Sequence, residues 1–304
     1  MIKISSWRSK LATEFNKEFG QEKYNATFTY YDNNDDRSGW MSDYIAFISE
    51  EVITVNYLPE ETSLAINNNP YRINELSDYK IPDGRILIDA TSLALPELLH
   101  LFNILNEKKR AFDVIYVQPN SYSESKIAGL DSIKYFDLSD DGLGVQQLPP
   151  YIGFSAESEI FFFLGWEGHR LGAVINSDEF NTRDITCLLG IPPFKTGWEN
   201  KTLTSNYKHL IELNNTTCPQ FKYAGANDPL KTYEVIDEIY QSKSYEEKWL
   251  TLAPFGTKPA AIAAANFAVN NKSRLILLYD FVKKKHKRSE GTDLVHLWTF
   301  ECVE

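Results

Sequence analysis

The residues best suited to chemistry lie in the stretch 249–269, WLTLAPFGTKPAAIAAANFAV. An apolar run ends at Ala253 and Pro254, Gly256-Thr257-Lys258 follows, and Pro259 opens an alanine-rich helix expected over 259–269. Proline suits the first turn of a helix, because its missing N–H would have no intrahelical partner there. The start of that helix presents unpaired backbone N–H groups and a partial positive charge. Thr257 adds a hydroxyl and Lys258 a full charge. The chemistry indicated is the binding of a phosphate or another anion. The loop is shorter than a Walker A loop, so P-loop ATP hydrolysis is not expected.

The elements around this loop read as alternating strands and helices. Strands are expected at 160–164, 185–189, 221–224, 250–253 and 274–279, with helices at 170–175, 198–212, 232–240 and 259–269. Continuous apolar strands separated by helices indicate a parallel sheet covered on both faces. In a doubly wound sheet, ligands bind beyond the carboxyl ends of the strands, where neighbouring connections diverge. Four loops then share one side: 165–170, 190–198, 225–229 and 255–259. All four carry glycine, which lets backbone approach a ligand closely; glycine and proline are also how such turns are ordinarily made. The candidate ligand-binding residues are Gly165, Trp166, Glu167, Gly168, His169, Arg170, Pro192, Trp198, Gly256, Thr257 and Lys258. Arg170 can reach a phosphate and Glu167 a ribose hydroxyl, or the two, one helical turn apart, can pair with each other. Trp166 or Trp198 can stack on a base or simply pack.

Upstream, an amphipathic helix is expected over 7–19 and strands over 24–31 and 51–58. A solvated acidic turn is expected at 32–36. From residue 84 a β-α-β unit is read: strand 85–89, helix 95–105, strand 112–117. Residues 118–155 are polar and turn-rich. The strand at 294–300 is expected to return as an antiparallel edge. The domains expected are 1–83, an N-terminal α+β segment; 84–150, a β-α-β subdomain; and 151–304, carrying the candidate loops.

Other chemistries find less support. There is no Gly-x-Ser-x-Gly elbow for the hydroxyls of Ser92, Ser205 or Thr257 to serve, and no Cys-x-x-Cys or His-x-x-x-His metal pair. No catalytic residue, metal or cofactor is therefore assigned. His100, His209 and His296 read as structural. Cys187, Cys218 and Cys302 are odd in number and far apart, so no disulfide framework is expected, and Cys187 reads as a buried thiol. The net charge of -11 disfavours bulk duplex nucleic acid, leaving the basic run 283–288 as a solvated loop or a local phosphate-facing wall. No stretch has the length of a membrane span, and residues 1–15 have no apolar signal core, so a cytoplasmic protein without membrane partners is expected.

The stretch 249–269 resembles the C-terminal motif of CRISPR-associated Rossmann-fold (CARF) sensor domains and their SAVED relatives. There, a strand ends in a Thr-Gly-Gly-Thr-Lys-type loop followed by a helix of small residues. The matching residues are Gly256, Thr257 and Lys258, then Ala260, Ala261, Ala263, Ala264 and Ala265; Pro254-Phe255 stands where Thr-Gly is usual. The resemblance extends loosely from about residue 158 onward. It implies an α/β, Rossmann-like, mostly parallel sheet with helices on both faces, here with a small N-terminal α+β extension. It also implies recognition of a nucleotide or cyclic oligonucleotide second messenger, usually across a homodimer, in prokaryotic antiviral defence. The chain is then a regulatory sensor acting with a separate effector protein. The alternatives are a metal-independent ring nuclease at the same loops, or a structural subunit whose aromatic-rich first 80 residues dock a partner.

Overall fold

The computed structural model describes residues 1–18, 23–31, 35–123, 125–127, 130–135, 138–154, 158–180, 184–216 and 219–303. The chain opens with β1 (Ile2–Leu11), α1 (Ala12–Glu18), β2 (Tyr24–Thr29), α2 (Asp36–Ile48), β3 (Ser49–Leu58), β4 (Ser63–Ile66) and β5 (Asn69–Arg72). It continues with β6 (Ile86–Asp89), α3 (Leu95–Glu107) and β7 (Phe112–Tyr122). Next come β8 (Ser125–Ile127), β9 (Leu130–Tyr135), β10 (Ser139–Gln147), β11 (Ser158–Phe163), α4 (His169–Ile175) and β12 (Ile185–Gly190). They are followed by α5 (Trp198–Thr216), β13 (Gln220–Ala224), α6 (Pro229–Tyr245), β14 (Trp249–Ala253), α7 (Lys258–Asn270), β15 (Leu275–Lys284) and β16 (Ser289–Cys302).

Two compact units result: Met1–Ser123 with Lys284–Glu304, and Glu124–Lys283. Each is α/β. In the first, eight strands run in the order β1-β16-β7-β6-β2-β3-β4-β5. The pairs β2–β3, β2–β6 and β6–β7 are parallel. The pairs β1–β16, β16–β7, β3–β4 and β4–β5 are antiparallel. The sheet is therefore mixed, which corrects the expectation of a mostly parallel architecture. The expected small N-terminal extension is corrected too. Strands β1 to β5 complete the same sheet as β6 and β7, so residues 1–83 and 84–123 share one unit. The boundary expected near residue 150 falls between β10 and β11, which also share a sheet.

Three local readings change for physical reasons. Residues 7–11 are strand rather than helix, because Trp7 pairs with Trp298 across β1 and β16; only Ala12–Glu18 is helical, and residue 19 lies outside the described residues. The acidic stretch 32–36 is not simply solvated. Residues 32–34 lie outside the described residues, but Asp35 caps α2, accepting from Ser38 N at 3.2 Å, and pairs with the buried Arg37 at 2.6 Å. Opposing charge from Arg37 and hydrogen bonds from Ser289 and Ser38 outweigh burial and hold the Asp35 carboxyl down at about 2. Finally, β16 is not an edge strand of the second half; it lies between β1 and β7. Its Trp298 and Phe300 are fully buried, with Phe300 stacked on Phe112 at 4.9 Å. Val295 and Leu297, on its other face, are buried as well, as in a strand covered on both faces.

In the second unit six strands run β10-β15-β14-β11-β12-β13. The pairs β15–β14, β14–β11, β11–β12 and β12–β13 are parallel. Central β11 is buried along almost its whole length, and Ile160 and Phe162 join Leu171, Val174 and Leu213 of α4 and α5 in one cluster. Phe161 and Phe163 project the other way and are equally buried. Helix α7 is buried at every residue from 259 to 269. Its alanines let it approach its neighbours closely, and Tyr233 and Tyr240 of α6 meet Phe267 edge-on at 5.3 and 5.2 Å. The alanine richness thus serves a helix without a solvent face. Cys187 is buried as expected, which pushes its thiol up to about 12; Cys218 lies outside the described residues.

Burial also holds two histidines of the first unit neutral. His100 stacks on Tyr57 at 5.5 Å with its Nε2 unpartnered, and burial lowers it to about 3. His296, bonded to Ser9 Oγ at 2.7 Å, is lowered to about 4 by burial, against a raising effect of Asp293. Their stabilisation is complete above the unfolded value near 6.5 and is lost as pH falls towards the folded values. We expect the protein to lose on the order of 3–5 kcal/mol per histidine across that window. Urea denaturation at stepped pH reads the slope, and His100→Phe should flatten it; an unchanged slope would contradict the assignment.

Candidate functional site

Because β13, β12, β11 and β14 run parallel in that spatial order, the four glycine-bearing loops that follow them leave the same edge of the sheet. The connection from β11 leads through α4 to β12, and the connection from β14 leads through α7 to β15 on the other side. Neighbouring strands whose connections part in this way leave a crevice between them. The backbones of the two loops nearly touch. A Cβ on Gly165 would sit 2.3 Å from Phe255 O, so only glycine is accommodated there. Thr257 Oγ1 donates to Ala226 O at 2.7 Å, which joins the β14 and β13 loops.

The candidate residues divide into those engaged internally and those left at the rim. Glu167 and Arg170 are engaged. Arg170 NH2 lies 2.9 Å from Glu167 Oε2, and its Nε lies 2.8 Å from Asp280 Oδ2 of β15. Glu167 Oε1 also accepts from Leu138 N at 3.1 Å and from the Ser139 hydroxyl. Of the two readings open in the sequence, the pairing of Arg170 with Glu167 is the one formed. Gly168, which precedes α4, meets α5: a Cβ there would lie 2.0 Å from Ser205 O. Its glycine serves helix packing.

Trp166 and Trp198 meet edge-to-face with centroids 4.8 Å apart, and Trp166 Nε1 donates to Thr202 Oγ1 at 3.0 Å. Both rings are half-buried. Lys201 Nζ lies 5.3 Å from the Trp166 centroid and Lys195 Nζ 5.8 Å from that of Trp198, within cation–π range. These lysines, and the buried Asn206 that holds Gly165 O at 2.7 Å, escaped the sequence reading. Their signal was available as positions three and eight residues beyond Trp198 on α5 and three before it, but it needed the helix to be placed beside the β11 loop. His169 and Pro192 are exposed.

Helix α7 begins at Lys258, with Pro259 second. Thr257 stands at its N-cap with extended backbone, yet its hydroxyl is spent on Ala226 O and does not cap the helix. No acidic residue lies in the first turn. Lys258 and Thr257 are half-buried. The arrangement can offer backbone N–H groups and positive charge to an anion, with an aromatic–lysine pair on the neighbouring loops. No group of described residues forms a metal-binding cluster, and among the described residues no helix is long and apolar enough to cross a membrane. Comparison with known proteins finds no family model that matches the chain and no similar curated protein.

If Arg170 is a scaffold residue, its loss acts without any ligand. Arg170→Ala leaves Glu167 and Asp280 facing one another and should destabilise the ligand-free protein by about 3 kcal/mol. Thermal and urea unfolding of the variant check this; wild-type stability would return Arg170 to the ligand-binding set.

Proposed function

We propose that the crevice between the β11 and β14 loops binds a nucleotide or oligonucleotide second messenger, and that the chain is a regulatory sensor. The observation that carries this reading is the start of α7: a 13-residue helix whose N-terminus has no side-chain cap and no acid in its first turn, placed where two neighbouring connections diverge. Such a terminus favours negative charge. Lys258 in its first turn adds a charge-assisted contact to phosphate. Trp166 and Trp198, flanked by Lys201 and Lys195, supply ring faces and positive charge for a base and its neighbouring phosphate. The Rossmann-like reading of the second unit and its resemblance to CARF and SAVED sensors point the same way, and from that resemblance come the proposed setting in antiviral defence and a separate effector.

Calorimetry against mononucleotides and a panel of cyclic oligonucleotides tests the proposal. At least one should bind saturably, and Lys258→Ala should weaken it about tenfold or more, as expected for loss of one charged hydrogen bond. Unchanged affinity in that variant would refute the role of Lys258. Mass spectrometry of the incubated ligand separates a sensor, which returns it intact, from a nuclease.

A further inference from the structure

The first unit contains a second place where neighbouring connections part. Strands β2 and β6 are parallel neighbours, yet β2 leads through α2 to β3 on one side and β6 leads through α3 to β7 on the other. A cleft of about 60 Å³ opens at their carboxyl ends. A single water needs only roughly 10–15 Å³ of such space, so the cleft holds a compact group and not a whole dinucleotide.

Its chemistry differs from that of the α7 terminus. The charges that could attract a phosphate are already met from within. Asp35 caps α2, and Glu97 in the first turn of α3 accepts from Ala94 N at 3.0 Å. Asp89 is saturated: Oδ1 accepts from Thr91 N and Ser92 N at 2.8 and 3.3 Å, and Oδ2 from Thr29 Oγ1 and Ser92 Oγ at 2.8 and 2.6 Å. Among the described residues no lysine, arginine or histidine lines the cleft. Apart from Asp89, what lines it is uncharged and rich in hydroxyls: Thr29, Ser38, Ser42 and Ser92, over an apolar floor of Met41, Ile45 and Val52. Tyr30 and Tyr31 stand at the rim, 42% and 62% exposed. No hydrogen bond among the described residues engages their phenols or the Ser42 hydroxyl. Aromatic faces beside the Ser42 hydroxyl and the tyrosine phenols, with the Asp89 carboxylate already filled by hydrogen bonds, suit a ligand with apolar ring faces and hydroxyl edges.

We propose that this cleft binds a neutral sugar ring, either free or as the ribose of a nucleoside. Asp89 acts as a positioning residue, fixing the Thr29 and Ser92 hydroxyls that face the cleft. The ligand hydroxyls meet Ser42, Ser38 and the tyrosine phenols, and the ring lies against Tyr30 or Tyr31.

Saturation-transfer NMR on the full chain tests this with D-ribose and adenosine as probes. A saturable signal from ribose assigns a free sugar, and one from adenosine alone assigns a nucleoside. Ser42→Tyr, on a partly exposed helix face, fills the cleft and should weaken binding about tenfold or more. Tyr31→Ala, at an exposed rim position, should weaken it several-fold and guards against a Ser42→Tyr variant that fails to fold. Absence of saturable signal from both probes overturns the proposal. So does binding that survives unchanged in the variants, or displacement by inorganic phosphate.

Discussion

The candidate crevice depends on the ion pairs of Arg170. A guanidinium with side-chain exposure of 17% is held between Glu167 and Asp280, so one residue joins the β11 loop to β15. Glu167 carries the tie onward to Leu138 N and Ser139 at the start of β10. Breaking a buried pair leaves an uncompensated charge, so these groups constrain one another strongly even where their net contribution to stability is small. With the β11 loop fixed, Gly165 can lie against Phe255 O and Asn206 can hold Gly165 O. The two loops thus meet through backbone that is held by side chains themselves unavailable to a ligand.

The two units solve the same topological problem with opposite electrostatics. Each places parallel neighbours with diverging connections at its centre. In the first, carboxylates of Asp35, Glu97 and Asp89 answer the positive ends of helices and turns, and hydroxyls remain. In the second, Thr257 turns its hydroxyl away to Ala226 O and α7 is left without a side-chain cap. An uncapped terminus carries unsatisfied N–H groups, and ligand or water must meet them. This contrast distinguishes the crevice proposed for phosphate from the cleft proposed for neutral groups, although both stand at the same point of a sheet.

Much of the candidate loops' placement was legible in the sequence. Runs such as 160–164 and 275–278 are continuously apolar, which identifies buried parallel strands, and once they are parallel the loops after them share an edge. The start of α7 was legible from Pro259 and the alanines behind it. The roles of Glu167 and Arg170 were only half legible, because their spacing allowed mutual pairing but could not reveal Asp280, more than a hundred residues away. Strand β1 was misread because Trp7 and Leu11, at helical spacing, belong to an antiparallel strand whose partner is the last in the chain. Helix α2 was missed because its cap lies in an acidic stretch that resembles a plain turn, and Arg37, which makes that stretch structural, looks like any surface arginine.

By itself, the order of residues determined the local grammar: which segments are buried strands, where helices start, and which loops carry glycine. These follow from periodicity, proline geometry and side-chain size, all of which act over a few residues. Only the tertiary structure decided that the first sheet is mixed, that β16 lies between β1 and β7, and that Arg170 is committed to carboxylates instead of a ligand. Strand order and ion pairing are settled by long-range burial, which neutralises charges and covers apolar faces with whatever segment the fold brings near, irrespective of distance along the chain.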